Sequence, residues 1–377
     1  MPGIQAQIKI VKIGQGDCIL ITSPTGKYIL VDGGTLAGVS DAEGYTIDQV
    51  KRTLWGPRGI PDRPITILVM THPDEDHYNK LGKLLGGTEV QKVFYSGSEA
   101  QYCANSFISW RWGTGDGFRR PALLPRFEGI WVNDGDPTPD VIHSELTANG
   151  QEFKLEVLAA NYVPFVENEG QISSVLTNTR SIVIKGSLAG RSFLLTGDAT
   201  DLTEGFLLAQ SAAHTPPYFP VDVVKVAHHG SGHSSTQEFV DAAAPSDAVI
   251  SCRPQGSGFK HPRFEIYSRW VAKVRASGDE TAHPIIYWQL SWDGVWQMQQ
   301  APTSKAVWET GLNGTIVYNF TQDGLVQRFV NAFNDANDDG GGDDPDYDPD
   351  EDQDSGSMTD DDDYPSSDDE DDPMSVE

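Results

Sequence analysis

The sequence predicts an α/β fold followed by a separate acidic tail, and three observations support this. Short strand-like segments separated by turn residues open the chain. The apolar run at residues 65–70 is typical of a buried strand, and it ends in a cluster of His and Asp. Further strands then alternate with helical segments. Polar residues that follow a buried strand lie at the open end of an α/β sheet, where such sheets bind ligands.

The opening segment predicts an antiparallel meander. Apolar and polar residues alternate over residues 4–10, and tight Gly-containing turns then lead into two more apolar segments. Its three strands are predicted over residues 4–10, 18–22 and 28–34.

The later elements follow from the same patterns. Residues 35–63 are expected to be an insertion with one helix, and residues 96–137, rich in Gly and aromatic side chains, one long loop. Helices are predicted over 46–54, 78–85, 201–212 (capped by Asp201 or Thr203), from Ser234 or Ser235 to 244, and 262–276. Strands are predicted over 65–70, 90–95, 153–158, 182–184, 192–198, 222–227 and 248–252, and residues 285–328 are predicted to be a small β extension.

The charge is distributed very unevenly. The chain carries 55 Asp and Glu against 27 Lys and Arg, a net charge of −28. Residues 335–377 hold 21 of these acids and no base, so the body has 55 − 21 = 34 acids and a net charge of 34 − 27 = 7 negative charges. A segment with so few apolar residues cannot offset the entropy of ordering. We therefore expect one folded domain over residues 1–333 and a disordered acidic tail over 334–377.

Composition also argues against a secreted or membrane-spanning chain. There is no basic segment followed by an apolar one at the N-terminus, and no apolar run long enough for a membrane span. Cys18, Cys103 and Cys252 are widely separated and form no disulfide framework, so each is expected to be a small core residue. We expect a cytoplasmic protein without membrane contact.

The segment after the buried strand carries the densest chemistry in the chain. His72 and Asp74 alternate, so they can point the same way, while Asp76 and His77 turn into the next helix. Imidazole and carboxylate ligands without thiolate suit divalent cations. The alternative is a polar loop with incidental His residues. Matching segments elsewhere argue against it: Asp198 ends a strand, and three His follow another strand at positions 228, 229 and 233.

The heptad at residues 71–77, Thr-His-Pro-Asp-Glu-Asp-His, resembles the metal motif of the metallo-β-lactamase superfamily, His-x-His-x-Asp-His. Asp74 stands in place of the second His of that motif. Gly14-Gln15-Gly16-Asp17, Leu-Leu-Thr-Gly-Asp198 and His228-His229-Gly-Ser are similar to motifs of the soluble metallo-hydrolase domain of ComEC-type DNA-uptake proteins. The resemblance covers about residues 5–330 in pieces. ComEC-type proteins are membrane channels, and only their soluble domain is matched. The resemblance implies a four-layer αβ/βα sandwich.

The resemblance also implies roles for individual residues. His72 and Asp74 are expected to bind one metal, Asp76 and His77 the other, with Asp198 as the bridge. Either His228 or His229 completes the second site. Asp32 is expected to support the ligands from behind. Asn178 and Ser181 are expected to line the site where most relatives place a His. His233 is the weakest candidate of the three His residues that follow the later strand. His261 is expected to donate a proton or bind phosphate, or else only to cap a helix.

These residues predict a metal-dependent hydrolase with two divalent metal ions, Mn²⁺ or Zn²⁺, with Mg²⁺ as a further option. Asp76, Asp198 and His261 are the expected catalytic residues, acting with a metal-bridged hydroxide. A phosphodiesterase or nuclease is the leading hypothesis. The alternatives are a hydrolase of a small ester, lactone or nucleotide, and a non-catalytic metal-stabilised binding module. The acidic body is atypical of nucleic-acid binding, so a local patch would be needed. The candidate patch comprises Arg111, Arg119, Arg120 and Arg126.

Overall fold

The computed structural model describes residues 4–36, 46–112, 126–164, 174–253, 259–274 and 282–330. The predicted acidic tail, with Arg119 and Arg120 of the candidate patch, lies outside these described residues. Two mixed sheets face each other within the described ranges, and helices cover the outer surface of each. The predicted α/β class and the four-layer αβ/βα arrangement are confirmed.

The first sheet has the strand order β17-β16-β1-β2-β3-β4-β5-β6. Its strands are β1 (Ile4–Ile10), β2 (Ile19–Thr22), β3 (Tyr28–Val31), β4 (Ile65–Met70), β5 (Val90–Tyr95), β6 (Arg126–Gly129), β16 (Ile316–Thr321) and β17 (Val326–Val330). The predicted meander, β1 to β3, is antiparallel, whereas β3 to β6 run parallel. Four strand ends therefore point the same way at one edge of the sheet.

The second sheet has the order β15-β12-β11-β10-β9-β8-β7. Its strands are β7 (Asp140–Leu146), β8 (Glu152–Ala159), β9 (Val183–Leu188), β10 (Arg191–Leu195), β11 (Val223–Lys225), β12 (Asp247–Ile250) and β15 (Val307–Glu309). The strands β10, β11, β12 and β15 are parallel. A separate antiparallel hairpin is formed by β13 (His283–Leu290) and β14 (Trp296–Thr303).

The core consists of three layers of apolar contact. Between the sheets, Ile8, Val69, Phe153 and Phe193 belong to one buried cluster. Outside the first sheet, helices cover a second cluster, and helices outside the second sheet cover a third. The helices are α1 (Ile47–Trp55), α2 (Glu75–Tyr78), α3 (Leu81–Leu85), α4 (Asn105–Trp112), α5 (Ser174–Thr179), α6 (Asp201–Ala213), α7 (Gln237–Ala243), α8 (Phe264–Lys273) and α9 (Thr310–Asn313).

Several local predictions need correction. The predicted helix 78–85 is two short helices, α2 and α3, and the predicted loop 96–137 contains both α4 and β6. Neither Asp201 nor Thr203 caps α6, which begins after Thr200, and Thr236 caps α7 in place of Ser234 or Ser235. Cys103 is exposed, not a core residue, whereas Cys18 and Cys252 are buried.

Residues 285–328, predicted to be one small extension, divide among three sheets. The hairpin β13-β14 stands alone, β15 joins the second sheet, and β16 with β17 extends the first sheet beside β1. Pairing of β16 with β1 joins the two ends of the described chain, which no local pattern could indicate.

Candidate metal centre

Parallel strands from both sheets end at the same place and deliver the polar side chains there. The strand β4 leads into Thr71 and His72, β10 leads into Asp198, and β11 leads into His228 and His229. The two sheets are joined at this edge because the Ile182 amide donates a hydrogen bond of 2.9 Å to the Thr71 carbonyl. Segments distant in sequence therefore meet in one buried cluster.

Four of the predicted ligands form what we call the closed half: Asp76, His77, Asp198 and His229. One ligand-type atom from each lies within 4.8 Å of all the others, and all four residues are buried. His229 Nε2 is 3.2 Å from Asp76 Oδ2 and 3.3 Å from Asp198 Oδ2. His77 Nε2 is 3.3 Å from Asp198 Oδ1. This set of two imidazoles and two carboxylates suits a divalent cation.

Both imidazoles of the closed half are oriented from behind. His77 Nδ1 donates to Asp32 Oδ2 at 2.8 Å, and His229 Nδ1 donates to the Ser251 carbonyl at 2.6 Å. Asp32 is held in turn by the backbone amide and hydroxyl of Thr71, at 2.8 and 2.7 Å. A proton on Nδ1 leaves the Nε2 lone pair directed into the site, which is how metal-binding His residues are prepared.

The buried polar atoms fit a metal. The Nε2 atoms of His72, His77 and His229 and Oδ1 of Asp198 are buried, and within the described chain they have no hydrogen-bond partner. Buried polar atoms are rarely left without one, so several pointing at one another call for an explanation. Divalent cations accept lone pairs from imidazole nitrogens and carboxylate oxygens, so these donors fit the metals that the sequence predicted.

The other candidate residues, which we call the open half, form two pairs: His72 with Asp74, and Asn178 with His228. His72 Nε2 lies 3.4 Å from Asp74 Oδ2, and the Asp74 side chain is 37% exposed. His228 Nε2 lies 3.3 Å from the Asn178 amide nitrogen and 3.9 Å from Asp198 Oδ2. The carboxylate of Asp198 thus lies between the two halves. The open half has an amide and an exposed carboxylate among its donors.

The backbone explains why the two neighbouring His residues diverge. His228 and His229 both have positive φ, at 48° and 51°, and Gly230 follows at 85°. Non-glycine residues rarely adopt this left-handed conformation, at a cost of roughly 1–3 kcal/mol each. It directs His229 to Asp76 and His228 to Asn178. His229 therefore lies in the closed half, and His228 lies beside Asn178.

The closed half has an electrostatic preference for positive charge. Burial alone would lower the pKa of His229, but the carboxylates of Asp198 and Asp76 outweigh it and raise the pKa to about 10. Burial would likewise raise the pKa of Asp198, yet His229, His77 and Lys225 hold it well below its usual value. Carboxylates that stay ionised in a buried site attract protons, and by the same field they attract a dication.

Lys225 is a residue of this centre that the sequence did not reveal. Its side chain is fully buried, with Nζ 2.5 Å from Asp17 Oδ2, 2.9 Å from the Gly197 carbonyl and 3.5 Å from Asp198 Oδ1. Burial lowers the pKa of Lys225, but Asp17 and Asp198 outweigh it, so the net pKa is raised and the amine stays charged. A Lys in an otherwise apolar strand, with Asp17 in the Gly-Gln-Gly-Asp motif, was the available signal.

The other predicted site residues are placed differently. Ser181 Oγ accepts a hydrogen bond from the Asp198 amide at 3.0 Å and lies 3.3 Å from His72 Nδ1, so it lines the site. The ring of His261 lies 5.6 Å from that of His228. Burial, followed by the nearby His228, His229 and Arg263, holds the His261 pKa well below its usual value. His233 belongs to neither half, and its carbonyl accepts from Asp201 at the start of α6.

The two described members of the candidate basic patch both lie beside acids. Arg111 forms an ion pair with Glu99 and stacks on Phe127. The exposed Arg126 lies 3.4 Å from Glu128. The acids beside these two Arg residues offset their charge, so they offer little attraction to a phosphate backbone.

A family model described as the metallo-beta-lactamase superfamily matches residues 11–252. The chain is similar to ComE operon protein 3 of Bacillus subtilis (strain 168), with 23% identity over 270 residues, 70% of this chain and 30% of that protein. It is also similar to competence protein ComA of Neisseria gonorrhoeae, with 25% identity over 284 residues, 74% of this chain and 31% of that protein. The chain therefore matches about a third of the length of these relatives.

Solved structures show a more distant likeness. CmlA, a diiron β-hydroxylase from Streptomyces venezuelae, has 16% identity and a TM-score of 0.35 over 66% of this chain and 44% of its own. Zn²⁺-bound PqqB from Methylobacterium extorquens has 10% identity and a TM-score of 0.33 over 62% of this chain and 75% of its own. Similarity at this level carries no functional argument. Among the described helices, none is long and apolar enough to cross a membrane.

Proposed function

Because the chain belongs to the metallo-β-lactamase superfamily of metal-dependent hydrolases, we propose that it is a dinuclear phosphodiesterase that acts as a nuclease. The observation that carries the proposal is a set of three carboxylates, Asp74, Asp76 and Asp198. They follow the ends of β4 and β10, where the two sheets meet. Carboxylate-rich sites favour hard cations such as Mn²⁺ and Mg²⁺, which bind phosphate oxygens. The similarity to a competence protein supports a nucleic-acid substrate.

We assign the ligands by halves. The closed half would hold one cation through Asp76, His77 and His229, and the open half would hold the other through His72 and Asp74, with Asn178 and His228 beside it. Asp198 presents one carboxylate oxygen toward His77 and the other toward His229 and His228, so it is the proposed bridge. Bound divalent cations supply Lewis acidity that activates water and offsets the charge of a phosphodiester.

The remaining residues prepare the site. Asp32 and the Ser251 carbonyl fix the tautomers of His77 and His229, and Lys225 keeps Asp198 ionised. His261 has two buried ring nitrogens without a hydrogen-bond partner in the described chain. With its lowered pKa it is neutral at pH 7, so we propose that it forms hydrogen bonds with a phosphate oxygen or accepts a proton, without pairing as a cation.

The proposal is tested by assaying the purified chain with Mn²⁺ against single-stranded DNA, duplex DNA, RNA and bis(p-nitrophenyl) phosphate. We expect phosphodiester hydrolysis that Asp198→Asn reduces by about 10³-fold or more, because an amide cannot balance two dications. Asp201→Asn is the matched control, since Asp201 is an exposed acid three residues further along. Full activity in Asp198→Asn would rule out the bridging role. Turnover of only small esters, lactones or nucleotides, or of nothing, would favour the alternative functions.

A further inference from the structure

The hairpin β13-β14 carries an apolar face that is only partly buried. Trp288 pairs with Met298 across the hairpin, and Leu290 pairs with Trp296. Directly opposed residues of an antiparallel pair lie on the same side, as do residues two apart along one strand. These four side chains therefore form one surface, which we call the aromatic face. Leu290 is 52% exposed and Met298 is 43% exposed.

The opposite side of the hairpin is the one that packs on the domain. The Tyr287 ring stacks on Tyr267 with centroids 5.4 Å apart and lies 5.0 Å from Phe264, both on α8. The hairpin is thus anchored through one side and presents the aromatic face outward. At its turn, Trp292 is 98% exposed. Exposed apolar side chains gathered on one hairpin, here Leu290, Trp292 and Met298, mark an interaction surface.

Two cations are interleaved with the indole rings. Lys260 Nζ lies 5.3 Å from the Trp288 ring centre, and the Arg263 guanidinium lies 5.1 Å from that of Trp296. The hairpin itself contains a single acid, Asp293 at the turn, and the exposed Glu265 lies on α8. Against a body of net negative charge, this is a local site where aromatic planes and positive charge alternate.

Backbone hydrogen bonds connect the aromatic face to segments that carry candidate site residues. The Arg263 amide donates to the Gly230 carbonyl at 3.0 Å, and Gly230 follows His229. The Trp288 amide donates to the Pro262 carbonyl at 2.8 Å, and Pro262 follows His261. Two backbone hydrogen bonds thus join Arg263 and Trp288 to the sequence neighbours of His229 and His261. The aromatic face and these candidate site residues are therefore supported by the same two segments, 228–230 and 261–263.

We infer that the aromatic face binds single-stranded nucleic acid and leads it to the metal centre, an inference that rests on the proposed nuclease function. Unpaired bases stack on aromatic side chains regardless of sequence, and Arg and Lys attract the phosphates between them. Bases in a duplex are already stacked and paired, so they cannot stack on the Trp288 and Trp296 rings at the same time. The face therefore selects single strands over duplexes.

The test measures binding without turnover. Fluorescence anisotropy of a labelled oligothymidylate is recorded with the full chain in EDTA, for the parent and three variants. We expect Trp288→Ala with Trp296→Ala to weaken binding by at least about 10-fold, given the usual contribution of base stacking. Trp292→Ala, whose fully exposed side chain makes it safe for folding, should weaken binding by about 3-fold. Trp131→Ala is the control, an exposed Trp on another part of the molecule, and should bind like the parent.

Several results would overturn the inference. The first is an unchanged affinity for oligothymidylate in both aromatic-face variants when their circular dichroism matches that of the parent. The second is a parent that binds a duplex of the same length as tightly as the single strand. A dimer of the parent that the double variant dissolves, without oligonucleotide binding, would assign the face to a second copy of the chain. Failure of the nuclease function is recognised separately. If the parent binds oligothymidylate through this face but hydrolyses no phosphodiester with Mn²⁺, the face stands and the proposed reaction falls.

Discussion

In the closed half of the metal centre every donor is buried and both imidazoles are held by a second hydrogen bond, whereas the open half contains the exposed Asp74 and the amide of Asn178. Ligands fixed before binding lose less freedom when the metal arrives. An amide is also a weaker donor to transition metals than an imidazole. For the proposed dinuclear centre we therefore expect one tight and one weak metal site, with Asp198 shared between them.

The largest effect should come from removing ligands of the closed half. Asp76→Ala with His77→Ala is expected to strip the tight site and abolish turnover while leaving far-UV circular dichroism intact. The matched variant of the open half, Asp74→Ala with Asn178→Ala, should retain about one metal per chain because the closed half is untouched. Elemental analysis after metal-replete purification measures both. Equal metal loss in the two variants would break the comparison, and a parent without bound metal, after titration excludes weak affinity, would refute the metal centre.

The next effect concerns the buried pair behind Asp198. Lys225→Met removes the cation that faces Asp17 and Asp198, and leaving Asp17 unpaired should destabilise the fold by roughly 3–5 kcal/mol. Turnover should also fall, by about 10–100-fold, because Asp198 loses the positive charge that orients it. Urea denaturation and Mn²⁺-dependent hydrolysis give the two readouts.

The double variant Asp17→Asn with Lys225→Met separates positioning from packing. It no longer buries an unpaired carboxylate, so we expect most of the stability to return while turnover stays low. Recovery of full turnover together with stability would show that the pair only supports the fold.

A third, smaller effect should sharpen the contrast between the halves. Asn178→His supplies an imidazole beside His228, so the open half should bind Zn²⁺ more tightly, by about 10-fold or more. The measured quantity is the number of zinc ions retained per chain after dialysis, expected to rise from about one toward two. Thr177→His, one residue earlier on α5, is the control and should leave the metal content unchanged. No rise in Asn178→His would argue that the open half is not a metal site.

The sequence predicted the convergence of strand ends because each carried its chemistry locally. His72 and Asp198 directly follow apolar strands, and parallel strands place such residues at one edge. The choice between His228 and His229 could not be predicted, because it depends on two left-handed backbone conformations that spacing does not encode.

Two further features were hidden for different physical reasons. Lys225 was not singled out, because a Lys in a strand usually extends its amine to solvent, and its partner Asp17 is 208 residues earlier in the chain (225 − 17). The aromatic face was read only as part of a β extension. Its exposure depends on which strands of this region join the main sheets. The pairing of β16 with β1 is set by contacts across the whole molecule.

The last prediction concerns the structure behind the closed half. Glu309 is fully buried, with Oε2 accepting from the Ile286 amide at 2.8 Å and Oε1 lying 3.7 Å from Cys252 Sγ. Cys252 follows Ser251, whose carbonyl orients His229. Burial raises the pKa of Glu309 from its ordinary value of 4.5 to about 8. Between these values the folded chain holds a proton that the unfolded chain has released. This contribution therefore makes stability fall as pH rises from about 4.5 to 8, after which it levels off.

Glu309→Gln keeps an acceptor for the Ile286 amide and removes the titration. Each pKa unit corresponds to about 1.4 kcal/mol, so the parent should lose a few kcal/mol more than this variant between about pH 5 and pH 8.5. Urea denaturation in EDTA at both pH values measures the difference, and the exposed Glu265→Gln provides the control. Parallel losses in parent and variant would show that Glu309 is ionised throughout. A smaller loss in Glu309→Gln would show that the folded chain keeps Glu309 protonated next to the strand end that orients His229.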